Sequence, residues 1–208
     1  MLWYDSQKVI QSEVIVVVAS SVPRVPPGQR VTPKWPVLHH GSVPAADLSQ
    51  WDFRVFGLVE EPVRWTYEEF MALPQVHIHR DIHCVTGWSR LDMDFDGIPF
   101  REVMKHIRPR PEAKFVMVHA EQHFTTNLPL EDLMAEDVVF AYRASGQDLT
   151  PEHGWPLRLV VPHLYFWKSA KWVRGLEFTA EDAPGFWEQN GYHMRGDPWK
   201  SQRLSTSP

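Results

Sequence analysis

Apolar and polar positions alternate at short period along much of this chain. "WDFRVFG" (51–57) alternates every second residue, which predicts a strand. "TYEEFMALP" follows, with Thr66 and Glu69 at capping-box spacing, which predicts a short helix. "QVHIHRDIHC" (75–84) alternates again and predicts a second strand. "IPFREVMKHIRP" (98–109) reads as a helix between two prolines, "AKFVMVHA" (113–120) as a strand and "PLEDLMAED" (129–137) as a short helix. "VVFAYRASGQDLTPEHGWPLRLVVP" (138–162) reads as a strand, a glycine-containing turn, a loop and an apolar strand. "KWVRGLEF" (171–178) adds one more strand. Strands and short helices mix without regular βαβ spacing, so the expected class is α+β with a mixed β-sheet.

No stretch reads as a long flexible linker, so one domain is expected over 27–208, preceded by an extension over 1–26. The extension carries "VIVVVA", which is too short for a transmembrane helix. The proline-rich stretch Val22 to Pro27 reads as a tail or linker. The first two dozen residues leave three readings open: an edge strand, a disordered tail, or a start codon set too far upstream. Asp5 precedes Lys8, unlike a basic leader, and there is no twin-arginine pair. No export signal and a cytoplasmic location are therefore expected.

Composition narrows the class. Hydrophobic residues make up 43% and charged residues 23% of 208, which favours a globular chain with a sizeable core. The formal net charge of −5 disfavours nucleic acid as a partner, because phosphate affinity comes from clustered Lys and Arg. Ten tryptophans are available to wall a cavity, although filling a core is the commoner use. The single cysteine excludes an internal disulfide and fits a reducing compartment.

That cysteine, Cys84, stands at the end of "HIHRDIHC" and just before "VTGWS". It has four readings: inert core, nucleophile, zinc ligand, or ligand to a softer metal. In an extended strand His77, His79, Asp81 and His83 share one face, while Ile78, Arg80, Ile82 and Cys84 share the other. The parity argues against a mixed His/Cys zinc site, and the histidine face reads as solvated rather than metal-binding. By itself, Cys84 is most simply buried core. A nucleophile needs a nearby base, and 11 histidines make candidates easy to find. Arg158 inside "PLRLVVP" is harder to dismiss, since an unpaired buried charge is costly and a fixed anionic partner is expected.

The C-terminal half changes the balance. "AYRASGQDLTPEHGWPLRLVVPHLYFWKSAKWVRGLEF" (141–178) resembles the catalytic domain of the sulfite oxidase-like molybdopterin oxidoreductases. The matching positions are Leu149, His153, Gly154, Pro156, Arg158, Val160 and Pro162, then Lys168 to Trp172, with Thr150 where that family carries proline. "VLHHGSVP" (37–44) resembles the family's early cofactor segment, and "DIHCVTGWS" occupies the place of its cysteine loop. The match runs over about residues 27 to 200 and is closest to the short prokaryotic branch, which resembles methionine-sulfoxide-reducing catalytic subunits.

The resemblance implies a sulfite oxidase-type molybdopterin-binding fold and a cofactor of molybdenum with one molybdopterin, without a nucleotide. Cys84 would be the sole protein ligand to the metal, a soft thiolate in electropositive surroundings that lower its pKa. Arg158, Lys171, Ser169 and Ala170 would hold the terminal phosphate, and His39, His40 and His153 would meet the pterin. Trp88 would wall the substrate face, with His83 as a candidate proton donor. The implied activity is oxygen-atom transfer, with electrons from a separate partner, because the chain shows neither a haem-attachment motif nor a cytochrome b5 segment. Sulfite oxidases generally follow the cysteine with a segment that brings an arginine close. Here "CVTGWSR" places Trp88 and Ser89 first and displaces Arg90, so S-oxide or N-oxide reduction is expected over sulfite oxidation. Arg80, on the parity of Cys84, is the other cation able to turn toward the site. A cysteine hydrolase or transferase and a non-catalytic cofactor-binding protein remain as alternatives.

Overall fold

The computed structural model describes residues 23–207; the apolar run at 14–19 lies outside them. In chain order the strands are β1 (Arg30–Val31), β2 (Asp52–Gly57), β3 (Val63–Thr66), β4 (Val76–Cys84), β5 (Trp88–Pro99), β6 (Phe115–Ala120), β7 (Thr125–Pro129), β8 (Val139–Ala144), β9 (Gln147–Asp148), β10 (Arg158–Val160) and β11 (Val173–Thr179). The helices are α1 (Tyr67–Met71), α2 (Phe100–Met104), α3 (Leu130–Leu133) and α4 (Phe186–Gln189). They build two sheets rather than one. The first runs β1-β5-β8-β10, with β4 also on β5 and β9 on β8; the second runs β3-β2-β11-β6-β7. Each is mixed, because β1 lies parallel to β5 and β2 parallel to β11. The α+β expectation holds.

The period-two pattern sorts the side chains of the first sheet. Phe140 and Leu159 join the main core, which they share with Phe53, Val118 and Leu176 of the second sheet. Their neighbours Val139, Ala141 and Val160 point the other way and pack with Ile78, Ile82, Met93 and Phe95. That second face is covered by Trp35, Trp88 and Phe166 rather than by a sheet, and the functional cavity opens on it.

β5 was not legible from the sequence, although it is the longest strand. Its pairing with β4 shifts between Arg80/Met93 and Ile82/Arg90, so an extra residue sits on β5 and breaks the alternation. Asp92 adopts φ 55° there, and its N–H donates to Asp81 Oδ1 at 2.9 Å. Arg24 grips the same Asp81 at 2.6 Å, which ties the chain before β1 to the bulge.

The capping box of α1 is present, with the Glu69 N–H donating to Thr66 Oγ1 and the Thr66 N–H to Glu69. The helix expected over 98–109 shrinks to α2. After Met104 the backbone bonds tighten to the i−3 pattern, from His106 to Val103 and from Ile107 to Met104. This turn buries Ile107 and returns the chain toward β6. No helix among the described residues is long and apolar enough to cross a membrane.

Candidate active site

β4 ends at Cys84, and a tight turn closes with the Gly87 N–H donating to the Cys84 carbonyl at 3.0 Å. Gly87 takes φ 95°, a left-handed conformation that favours glycine. β5 then begins at Trp88, directly opposite Cys84. Cys84 is 8% exposed, and its Sγ accepts a bond from Thr86 Oγ1 at 3.2 Å. The expected lowering of the thiol pKa is corrected here. Burial pushes it up and outweighs the opposing Thr86 hydrogen bond and the positive charge of Arg203.

The histidine face divides. His77 and His79 are exposed and paired across the strand with Asp96 at 2.8 Å and Asp94 at 2.7 Å. Among the described residues no three ligating side chains gather as a metal cluster. His83 is buried, bonds Ser89 Oγ at 2.8 Å and does not border the cavity, so the geometry does not make it the proton donor. It is also not the base that a Cys84 nucleophile requires. Arg80 turns to Asp137 at 2.8 Å instead of to the site.

The second half of the site forms around a glycine. Gly154 sits at φ 111°, and a Cβ there would stand 3.0 Å from the Arg158 Cβ and 3.1 Å from the Lys171 Cβ. Only glycine lets the two cations close up behind this turn. Arg158 is 1% exposed. Its Nη1 donates to the His153 carbonyl and its Nη2 to the Ser169 carbonyl, both at 2.9 Å. Its guanidinium lies 4.3 Å from the Phe166 ring centre and 5.3 Å from that of Trp35. No carboxylate pairs with it among the described residues. The fixed anionic partner expected for Arg158 is therefore not a protein side chain; carbonyls and aromatic faces hold the charge instead.

Lys171 stands beside it, donates to the Glu152 carbonyl at 2.6 Å, and likewise has no carboxylate partner among the described residues. Burial, then the Arg158 charge, push its pKa down to about 7, with Glu152 opposing. Burial alone pulls Arg158 down to about 9. Ser169 Oγ accepts from the Val161 N–H at 2.9 Å, which leaves its own proton free to donate.

One cavity of about 290 Å³ joins the two halves. Cys84 and Trp88 border it from the β4–β5 turn; Arg158, Ser169, Ala170 and Lys171 border it from β10 and the segment before β11; His39, His40 and His153 border it from loops. The residues singled out by sequence thus line one space. His153 is less available than expected. Thr150 Oγ1 lies 3.0 Å from its Nδ1 and the Trp35 carbonyl 3.3 Å from its Nε2. Nε2–H donating to the carbonyl and Nδ1 accepting from the hydroxyl describe one neutral tautomer. Burial, with Arg158 and Lys171 nearby, also lowers its pKa. His39 packs edge-on against Trp172 and His40 lies 4.3 Å from Phe186.

The tryptophan count alone does not mark which indoles form the aromatic wall. Trp35, Trp167, Trp172 and Trp187, with Tyr192, border the cavity alongside Trp88, so several tryptophans wall space rather than fill core. Trp35 carries the most weight, because it stacks on His153 at 4.1 Å and faces Arg158. Its neighbours "TPKWPV" show no periodicity that would have marked it.

A molybdopterin cofactor presents an anionic phosphate and sulfur ligands to a metal. The cavity lining presents a buried guanidinium and an ammonium that have no carboxylate partner among the described residues, and a thiol. The donor set therefore fits the group.

Comparison with known proteins agrees with that chemistry. The family described as oxidoreductase molybdopterin binding domain matches residues 40–187. The chain is 54% identical over 183 residues to the uncharacterized oxidoreductase YuiH of Bacillus subtilis (strain 168), covering 88% of this chain and 92% of that protein. It is 27% identical over 172 residues to the protein-methionine-sulfoxide reductase catalytic subunit MsrP of Gluconobacter oxydans (strain 621H), covering 71% of this chain but only 54% of MsrP. Among solved structures it resembles the sulfane dehydrogenase SoxCD of Paracoccus pantotrophus, with a TM-score of 0.63 and 25% identity over 69% of this chain and 41% of that one. Two-thirds or more of this chain is matched each time, and the cavity-lining residues from His40 to Trp187 lie inside the family match. The chain belongs to the oxidoreductase molybdopterin-binding domain family and is an oxidoreductase whose cofactor is molybdenum held by molybdopterin.

Proposed function

We propose that this enzyme transfers an oxygen atom, reducing S-oxides or N-oxides in preference to oxidising sulfite, with Cys84 as the protein ligand to molybdenum. The observation that carries the reading is the charge distribution around the cavity. Among the described residues its lysine and arginine lining is Arg158 and Lys171, side by side, while five tryptophans, two phenylalanines and Tyr192 make up much of the rest. Once those two cations engage the cofactor phosphate, the substrate space is largely apolar, which suits a neutral S-oxide better than a doubly charged sulfite.

When bound, the cofactor supplies a two-electron redox centre. The chain supplies the rest. Arg158, Lys171, the Ser169 hydroxyl and the Ala170 backbone hold the phosphate, and His39, His40 and His153 flank the pterin. Thr86 orients the Cys84 sulfur through its hydroxyl. Trp88 and Tyr192 exclude water and leave room for a small substrate. Reduction of an S-oxide consumes two protons and two electrons and releases a sulfide and water; a separate protein supplies the electrons. The name of MsrP supports the sulfoxide direction, whereas that of SoxCD denotes a dehydrogenase.

The test is steady-state kinetics of molybdenum-loaded protein with artificial electron donors and acceptors. Methionine sulfoxide, dimethyl sulfoxide or trimethylamine N-oxide should show a higher kcat/KM than sulfite. A sulfite value equal to or above all of them reverses the substrate reading.

A further inference from the structure

The turn after Cys84 carries no cation before Arg90, yet the fold brings one there from far along the chain. Arg203 donates through Nη1 to the Val85 carbonyl, and through Nη2 to the Gly28 carbonyl at 3.4 Å. Its guanidinium lies 5.1 Å from the ring centre of Tyr165, and Tyr165 bridges to His83 next to Cys84. The same place is bound from the other side: Gln29 Nε2 donates to the Cys84 carbonyl at 3.1 Å, and the Arg30 N–H donates to the Gly87 carbonyl at 2.9 Å. Arg203 is itself fixed. The His193 N–H donates to its carbonyl at 3.2 Å, and Tyr192 and Leu204 form a bridge. It has no carboxylate partner among the described residues, and it lies beyond the residues that the family match covers.

We propose that Arg203 is a positioning residue for the Cys84 sulfur: its guanidinium clamps the Val85 carbonyl to the Gly28 carbonyl, locking the metal-ligand turn and setting a fixed positive charge beside it. The inference rests on the Cys84 assignment above. Two carbonyls from distant parts of the chain point at one fork, which Arg satisfies and Lys does not. Arg203 does not border the cavity, so it acts through Cys84 and not on substrate.

The test compares Arg203→Met and Arg203→Lys in the full chain. Met keeps apolar bulk against Tyr165 and removes the donors and the charge; Lys keeps the charge without the fork. Amide hydrogen exchange is read at Gly87 and Arg30. In Arg203→Met both should exchange about tenfold faster or more, the size of losing hydrogen bonds to a charged group, while amides of β6 and β11 keep their protection. Arg203→Lys should recover only part of that protection. In loaded protein with a molybdenum content near wild type, Arg203→Met should shift the reduction potential of the metal to more negative values, and Arg203→Lys should bring it back, because charge alone sets that term. Unchanged exchange at Gly87 and Arg30, or an equal loss across the whole chain, overturns the clamp. A local loss at Gly87 and Arg30, in a protein whose Cys84→Ser variant keeps wild-type turnover at normal molybdenum content, upholds the clamp while the Cys84 ligand reading fails.

Discussion

Arg158 and Lys171 face each other across an isolated antiparallel bridge, two cations side by side with Gly154 behind them and no carboxylate on either among the described residues. Two like charges packed together without a carboxylate are what the proposed phosphate role of this pair requires. Their repulsion is a standing cost in the unloaded protein, which a phosphate bound there would relieve.

Arg158→Met should therefore cost the cofactor more than it costs the fold. Met relieves a desolvated, unpaired charge but takes the donor from the His153 and Ser169 carbonyls, so the two effects on the unloaded protein oppose each other. Losing its charge-assisted bonds should lower cofactor retention by about tenfold or more. Molybdenum and released oxidised pterin per folded chain, set beside the thermal midpoint of the unloaded protein, separate the two. If the midpoint collapses while retention per folded chain stays at wild type, Arg158 is structural.

Lys171 should make the unloaded protein more stable as pH rises. Its folded pKa is pushed down to about 7, against roughly 10.4 in an unfolded chain. Between those values the unfolded state binds the extra proton, so stability climbs with pH across that window and is lowest below it. Thermal midpoints of the wild type minus those of Lys171→Met, which cannot titrate, should rise from pH 7 to higher pH. Inorganic phosphate should bind the wild type more tightly as pH falls through 7, and this dependence should weaken in the variant. A flat difference between the two proteins removes Lys171 from the anion site.

Cys84→Ser should leave the fold within about 1 kcal/mol of the wild type, because volume is nearly conserved and the Thr86 hydroxyl keeps an oxygen acceptor. Molybdenum-dependent turnover should vanish, since a hard hydroxyl replaces a soft thiolate. Turnover near wild type at normal metal content contradicts the ligand assignment.

Lys168 and Glu188 form a buried pair at 2.6 Å, with side chains 1% and 0% exposed. Trp167 also donates to Glu188 at 2.7 Å, so the pair anchors a cavity-lining indole to α4. Glu188→Gln removes the counter-charge of a buried ammonium, which keeps only the neutral acceptors Asn127 O and Oδ1, and should cost about 3–5 kcal/mol. Adding Lys168→Met should restore part of that loss. Denaturant unfolding of the single and double variants measures both. A single variant within 1 kcal/mol of the wild type, by the scale of ordinary surface changes of about 0.5 kcal/mol, would mean that the pair carries no such weight.

Features that depend only on neighbours in the chain are legible in its residue pattern. Strand alternation put Cys84 on the face of Ile82 and away from His77 and His79, the capping box set α1, and Arg158 in an apolar run announced a charge in need of a partner. Linked by the resemblance, the motif residues mark much of the cavity lining. Local pattern could not show β5, because one extra residue at Asp92 breaks the alternation. Nor could it weigh burial against charge at the Cys84 thiol, since desolvation is set by whatever packs around a group. The same physics hid Trp35 and Arg203. One reaches Arg158 and the other the Cys84 turn through contacts more than a hundred residues apart in the chain, and only the closing of β1 and the C-terminal segment onto the first sheet makes them neighbours.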